Sequence, residues 1–317
     1  MSIEHAGKAG SQQPASLPAK PGADIDNPML GILLTLGAMG VFSCMDAMSK
    51  HLTEHVPVME VAGGRYFICL LWLFPVVAHG RFAAVRSTAP KLQLLRALGM
   101  NGSTVFFIMA VSQLPLAEAT SIGFVSPLLI TALSVPFLGE KVGIRRWSAI
   151  VVGLIGVTIV VRPGSSAFDP AALLPLASAA SWAVGIMLTR KMKGWDPALT
   201  TLFYSNLVGF VTCAAILPMI WITPSLVDGL VILVMGTLSA IGQWLLIASF
   251  QRAGTSTLAP FQYSQLLWST ALGFVFFGSI PHLATWIGAA VIVASGAYTV
   301  HREHVLHRAA QIAGVQA

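Results

Sequence analysis

The stretch from Phe137 to Val161, FLGEKVGIRRWSAIVVGLIGVTIVV, has a counterpart later in the chain at Phe276 to Val300, FFGSIPHLATWIGAAVIVASGAYTV. Gly139 and Trp147 fall on Gly278 and Trp286 at one constant offset, and small residues recur behind both tryptophans. Each copy carries an apolar run near the length needed to cross a hydrocarbon core of about 30 Å. If the repeated unit contains an odd number of spans, two consecutive copies stand in opposite orientations. That inverted arrangement belongs to alternating-access carriers, with the solute site near mid-membrane between the halves.

Outward from this pair, residues 30–48, 56–78, 92–112, 119–138, 147–161, 171–189, 198–219, 226–249, 256–277 and 283–300 read as spans, which makes ten. The composition agrees: 56% of the 317 residues are hydrophobic and 9% charged, far from the roughly 25% charged residues of a soluble domain. Lys and Arg supply a check independent of hydropathy, because they concentrate in short cytoplasmic loops. With the N-terminus inside, the inner connections hold Arg81, Arg86, Lys91, Arg96, Lys141, Arg145, Arg146, Arg190, Lys191, Lys193, Arg252, Arg302 and Arg308. The outer side holds only Lys50 and Arg162. The expected fold is therefore an all-α integral membrane protein of ten transmembrane helices in two inverted five-helix repeats, with both termini cytoplasmic. Residues 1–28 are expected to be a disordered cytoplasmic tail, 29–162 the first repeat, 170–301 the second, and 302–317 a cytoplasmic tail. The net charge of +6 is spread through these loops, which gives no face for nucleic acid. Cys44, Cys69 and Cys213 lie apart inside apolar runs, as small hydrophobes rather than metal ligands.

The segment LPLAEATSIGFVSPLLITALSVPFLGEKVGIRRWSAIVVGLIGV (114–157), FSCMDAMSKHL (42–52), Arg65 and the weaker second copy resemble the drug/metabolite transporter superfamily, specifically its ten-helix EamA-type members. The resemblance covers about residues 30–300. Ser279 stands where the first copy has Glu140, a departure from the acidic residue common there in the family. The resemblance implies a secondary carrier of the bacterial inner membrane that moves a small metabolite, such as an amino acid, a nucleoside-like or an amphipathic compound, with export the expected direction. Uptake or exchange, for example of adenosyl compounds, is the alternative; a channel or an intramembrane enzyme stands further off. The expected partners are a solute and the bilayer, with proton coupling as an option and no cofactor or obligate protein partner.

Ionisable groups inside spans are functional candidates because isolated burial costs about 2.5–3.5 kcal/mol even on insertion scales. Asp46, Lys50, Glu60, Arg65 and Glu118 all fall in the outer half of the first repeat, as a gating or coupling group. Asp46 and Lys50 are four apart, the spacing for mutual neutralisation. Arg65 is expected to pair with a carboxylate, either as a structural lock or in gating, and Asp46 and Glu118 are the candidates for a coupling proton.

The second repeat is polar without charge. Pro260 is followed by Gln262, Tyr263, Gln265 and Trp268, with Gln262 and Gln265 expected on one face. Trp182, Tyr204, Asn206 and Gln243, with Asn101 and Ser103 in MNGSTVFF, complete a candidate binding or pathway set. Amides, hydroxyls and rings suit an amphipathic solute; the competing reading is interhelical bonding worth about 0.6 kcal/mol each. The string HLTEH at His51, Glu54 and His55 matches a short inverted zinc-protease pattern, but Pro57 follows at once and leaves no room for a catalytic helix. No catalytic or metal-binding set is expected, and no phosphate-binding Gly-Lys-Ser/Thr string points to ATP.

Overall fold

In the computed structural model the residues described are 28–79, 85–138, 143–163, 169–192, 195–253 and 255–312. Except for Pro28, the expected N-terminal tail lies outside them, as do Arg81, Gly139, Glu140, Lys141 and Lys193. The described chain is all helix and connection: α1 (Pro28–Leu52), α2 (Val58–His79), α3 (Pro90–Gln113), α4 (Leu116–Gly123), α5 (Ser126–Leu138), α6 (Ile144–Val161), α7 (Leu173–Lys191), α8 (Ala198–Ile220), α9 (Leu226–Arg252), α10 (Thr255–Gln262), α11 (Ser264–Phe277) and α12 (Leu283–Ile312). A 3-10 turn, Pro170–Ala172, leads into α7. α12 continues beyond the expected end of the last span, so most of the segment expected as a C-terminal tail is helical.

Seven stretches are long and apolar enough to cross a membrane by length and composition, with Leu116–Phe137 counted as one; Trp147–Val161 and Leu283–Tyr298 are shorter apolar helices. Large apolar side chains such as Trp72, Phe74, Val151, Ile155, Leu230 and Val234 are exposed on them, far more apolar surface than a soluble monomer shows. The fold is that of an all-α, multi-pass membrane protein.

Local chemistry sets the helix ends. Pro90 opens α3 at a position that needs no N–H donor, and Ser225 with Asp228 forms a capping box at the start of α9. α11 ends on Gly278 at φ 60°, a left-handed cap that suits glycine. Two expected spans are broken. The fourth divides into α4 and α5 at Phe124–Val125, just before Pro127, and the ninth into α10 and α11 at Tyr263. The offset that carries Trp147 onto Trp286 also carries Leu116–Gly123 onto Thr255–Gln262, Phe124 onto Tyr263, and Ile144 onto Leu283.

Most of the extensive packing joins one half of the chain to the other: α1 against α9 and α11, α7 against α3 and α5, α2 against α8, and α6 against α12. The halves interleave and do not form two separable five-helix bundles. At the α6–α12 crossing glycines let the backbones meet: a Cβ on Gly156 would lie 2.9 Å from the Gly288 carbonyl oxygen, and one on Gly288 2.6 Å from that of Gly156.

Candidate functional site

α1, α4 and α11 meet along a buried polar seam. Ser43 on α1 donates to the Gln265 carbonyl (3.2 Å), and its hydroxyl lies 3.3 Å from that of Ser269 on α11. Thr120 on α4 donates to Ser269 Oγ (3.2 Å). One turn along α1, Asp46 is 8% exposed and accepts from Gln265 Nε2 at 3.2 Å. The helix breaks lie beside this seam: Phe124 follows α4, Tyr263 precedes α11, and their rings pack with centroids 5.0 Å apart. Trp268 lies against α1, where a Cβ on Gly40 would stand 3.5 Å from its indole. A partly buried carboxamide, a buried carboxylate, three hydroxyls and two rings tilted against each other at 48° thus collect where both broken spans meet α1.

The other expected charges do not join as foreseen. Lys50 leaves Asp46 and donates to the carbonyls of Val111 (2.6 Å) and Leu114 (2.8 Å), with its ammonium 5.5 Å from the centre of the Phe277 ring. Arg65 donates to Thr104 Oγ1 (3.0 Å) and approaches Met45 Sδ (3.9 Å). Among the described residues neither cation forms an ion pair with a carboxylate within 4.0 Å; the partners of both are neutral. Glu60 is buried; its Oε2 accepts from the Ile222 N–H (3.3 Å), and its Oε1 has no partner. Glu118, in the first turn of α4, belongs to the neighbourhood of Arg162 and His282 rather than to Asp46.

Of the uncharged set, Gln265 and Trp268 meet α1, and Tyr263 packs beside them on Phe124. Gln262 closes α10 and Gln265 lies in the first turn of α11, with Tyr263 between them. Asn101 donates to Thr212 Oγ1 (2.6 Å), Ser103 and Ser178 bond reciprocally, and Asn206 bonds the Leu202 carbonyl of its own helix. Gln243 donates to Ser239 (3.3 Å). These bonds tie helices together or stay within one. Tyr204 donates to the Val85 carbonyl (3.1 Å) at one end of the bundle, and Trp182 is exposed on α7. The HLTEH residues pair as His51 with Glu54 (3.8 Å) and His55 with Asp228 (2.8 Å), and no metal-binding group occurs among the described residues. Ser43, Thr120 and Ser269 were not singled out from sequence, although Ser43 stands in FSCMDAMSKHL beside Asp46.

The sequence pattern of the EamA-like transporter family matches this chain twice, over residues 29–162 and 169–300. The chain is similar to an S-adenosylmethionine uptake transporter of Rickettsia bellii, 27% identical over 82% of this chain and 90% of that one. It is similar to a riboflavin transporter of Vibrio cholerae, 28% identical over 87% and 95% of the two chains. The pseudopaline exporter CntI of Pseudomonas aeruginosa is 25% identical over 83% and 93%. A solved structure superposes with a TM-score of 0.60 at 21% identity, covering 84% of this chain and 95% of that one, which shows the fold alone.

Proposed function

This chain belongs to the EamA-like transporter family, and from that footing we propose that it is an uptake or exchange carrier for adenosyl compounds of the S-adenosylmethionine type. It is a multi-pass transporter of a small metabolite in the bacterial inner membrane, not an enzyme. The finer reading is alternating access through ten spans in two inverted repeats with cytoplasmic termini. Its support is the offset shared by α4 with α10 and α6 with α12, together with the distribution of Lys and Arg. Uptake or exchange takes the place of the export expected from the resemblance, because several rickettsial relatives are named for S-adenosylmethionine uptake.

The observation that carries the solute class is Asp46, buried beside Gln265 and the hydroxyl seam, next to the Phe124–Tyr263 pair. A carboxylate suits a sulfonium or ammonium cation, hydroxyls and an amide suit a ribose, and rings offer contact area to a purine. Since α1 packs on the broken span of the other half and α7 does the same in reverse, these crossed groups are the bodies that would rock. Reconstituted vesicles should accumulate labelled S-adenosylmethionine, with competition by S-adenosylhomocysteine. Asp46→Asn should lower that uptake at least about tenfold, the scale of one lost charged contact, at unchanged folded yield. Uptake no greater than in empty vesicles, or full activity in Asp46→Asn, would overturn the assignment. The same vesicles under an imposed proton gradient test whether Asp46 or Glu118 couples a proton: gradient dependence that survives Asp46→Asn and Glu118→Gln excludes both.

A further inference from the structure

Two clusters away from the Asp46 seam close opposite ends of the bundle. Where α2 ends and α3 begins, Asp196 in the α7–α8 connection accepts from Ser87 Oγ (2.5 Å), the Thr88 N–H (2.8 Å), Thr88 Oγ1 (3.0 Å) and Gln93 Nε2 (2.8 Å). At the other end, His55 in the α1–α2 connection meets Asp228 Oδ1 at 2.8 Å, and Asp228 completes the capping box of α9. The offset that carries Trp147 onto Trp286 carries Ala89, the residue before α3, onto Asp228, and brings His55 to within two positions of Asp196. In both places the connection after the first helix of one half is tied to the opening turn of the third long helix of the other half.

The two ties differ in chemistry. Burial alone would raise the Asp196 pKa, but the hydrogen bonds from Gln93, Ser87 and Thr88 outweigh it and hold the carboxyl down to about 2. Its partners are neutral, so this tie keeps its charge at any pH a cell meets. An imidazole, by contrast, is the side chain suited to change charge between pH 5 and 8. That of His55 is about half exposed, at 46%, within reach of solvent protons. Protonated, it makes a charge-assisted pair with Asp228; neutral, it keeps at most one N–H donor to the carboxylate.

We propose that the Asp196 cluster and the His55–Asp228 pair are the latches of the two opposing gates of the transport cycle, and that only the His55–Asp228 latch responds to pH. Acid on that side tightens it, and alkali loosens it. The inference rests on the alternating-access reading above but not on the identity of the solute. The ionisable groups nearest the pair are His51, whose ring meets that of His55 edge-on at 5.5 Å, Glu54 beside His51, Glu60 in the first turn of α2, and Lys50, which faces α3; Glu118 with Arg162, Asp169 and His282 forms a separate charged group at the same end.

The test needs no solute. In full-length protein with Cys44, Cys69 and Cys213 replaced by Ser, spin labels at Thr53→Cys and Val227→Cys report one end, and labels at Arg86→Cys and Trp195→Cys the other. Between pH 5.5 and pH 8.5 the first pair should gain a longer-distance population by up to about fivefold, the scale of a solvent-exposed ion pair. The second pair should not move. His55→Gln and, independently, Asp228→Asn should remove the pH response, while His51→Gln should keep it; Asp196→Asn should lengthen only the second pair. An unchanged first distance across this pH range, or a response that survives in His55→Gln, overturns the proposal. Failure of S-adenosylmethionine uptake would overturn the solute assignment and leave these distances as they are.

Discussion

Lys50 stands four residues after Asp46 on one helix, yet its ammonium goes to the end of α3. The cause lies in Pro115. Inside a helix the Val111 carbonyl would receive the N–H of residue 115, and proline has none. Lys50 supplies the missing donor and places a cation at a helix C-terminus, where the backbone dipole favours one. Lys50→Met should therefore cost roughly 1–3 kcal/mol, the range for a buried acceptor left unsatisfied, read as a lower melting temperature in detergent. Asp46→Asn should behave in the opposite way. It removes a buried carboxylate that no cation neutralises within 4.0 Å, so thermal stability should hold or rise while transport falls, as is common for functional residues. A lower melting temperature for Asp46→Asn would make the carboxylate structural. Asp46 as a candidate was legible in the sequence, because a charge inside a span is conspicuous. Ser43, Thr120 and Ser269 were not, because Ser and Thr in helices commonly bond their own preceding turn, as Thr35 and Ser49 do here. Which hydroxyls cross to a neighbour is decided by packing.

At the scale of elements, one break lies at a proline and the other does not. Pro127 occupies the second position of α5, where no donor is needed, and the chain breaks just before it. Pro136 and Pro260 stay inside helices, and the second break comes three residues after Pro260, at Tyr263. The position of that break follows the repeat rather than the nearest proline. Because the rings of the two break residues pack on each other, a double-mutant cycle of Phe124→Ala and Tyr263→Ala should give a coupling of about 0.5–1.5 kcal/mol in thermal stability. Additive losses would show that the pair is incidental. The small residues that recur behind Trp147 and Trp286 were legible in the sequence, and at the α6–α12 crossing they let the backbones meet. Gly288→Val places methyl groups against the Gly156 carbonyl and Val160, and should destabilise by about 1–3 kcal/mol. Gly143→Ala, with no atom within 4 Å of the new Cβ, is the matched control.

Across the whole molecule, the sequence repeat and the succession of apolar runs were readable because both are periodic along the chain. The exchange of α1 and α7 between halves was not. Periodicity states which face of a helix is buried, and it carries no information about which distant helix covers that face. A description of two bundles as sequential units follows naturally from the order of residues, and it yields to one in which α1 packs with α9, α10 and α11, and α7 with α3, α4 and α5. The same exchange governs biogenesis. α1 leaves the ribosome well before its main packing partners, α9 and α11, so the N-terminal half must wait in the membrane with its polar seam uncovered. A chain truncated after Arg162 should insert yet remain protease-sensitive, and co-expression of residues 163–317 as a separate chain should restore its protection.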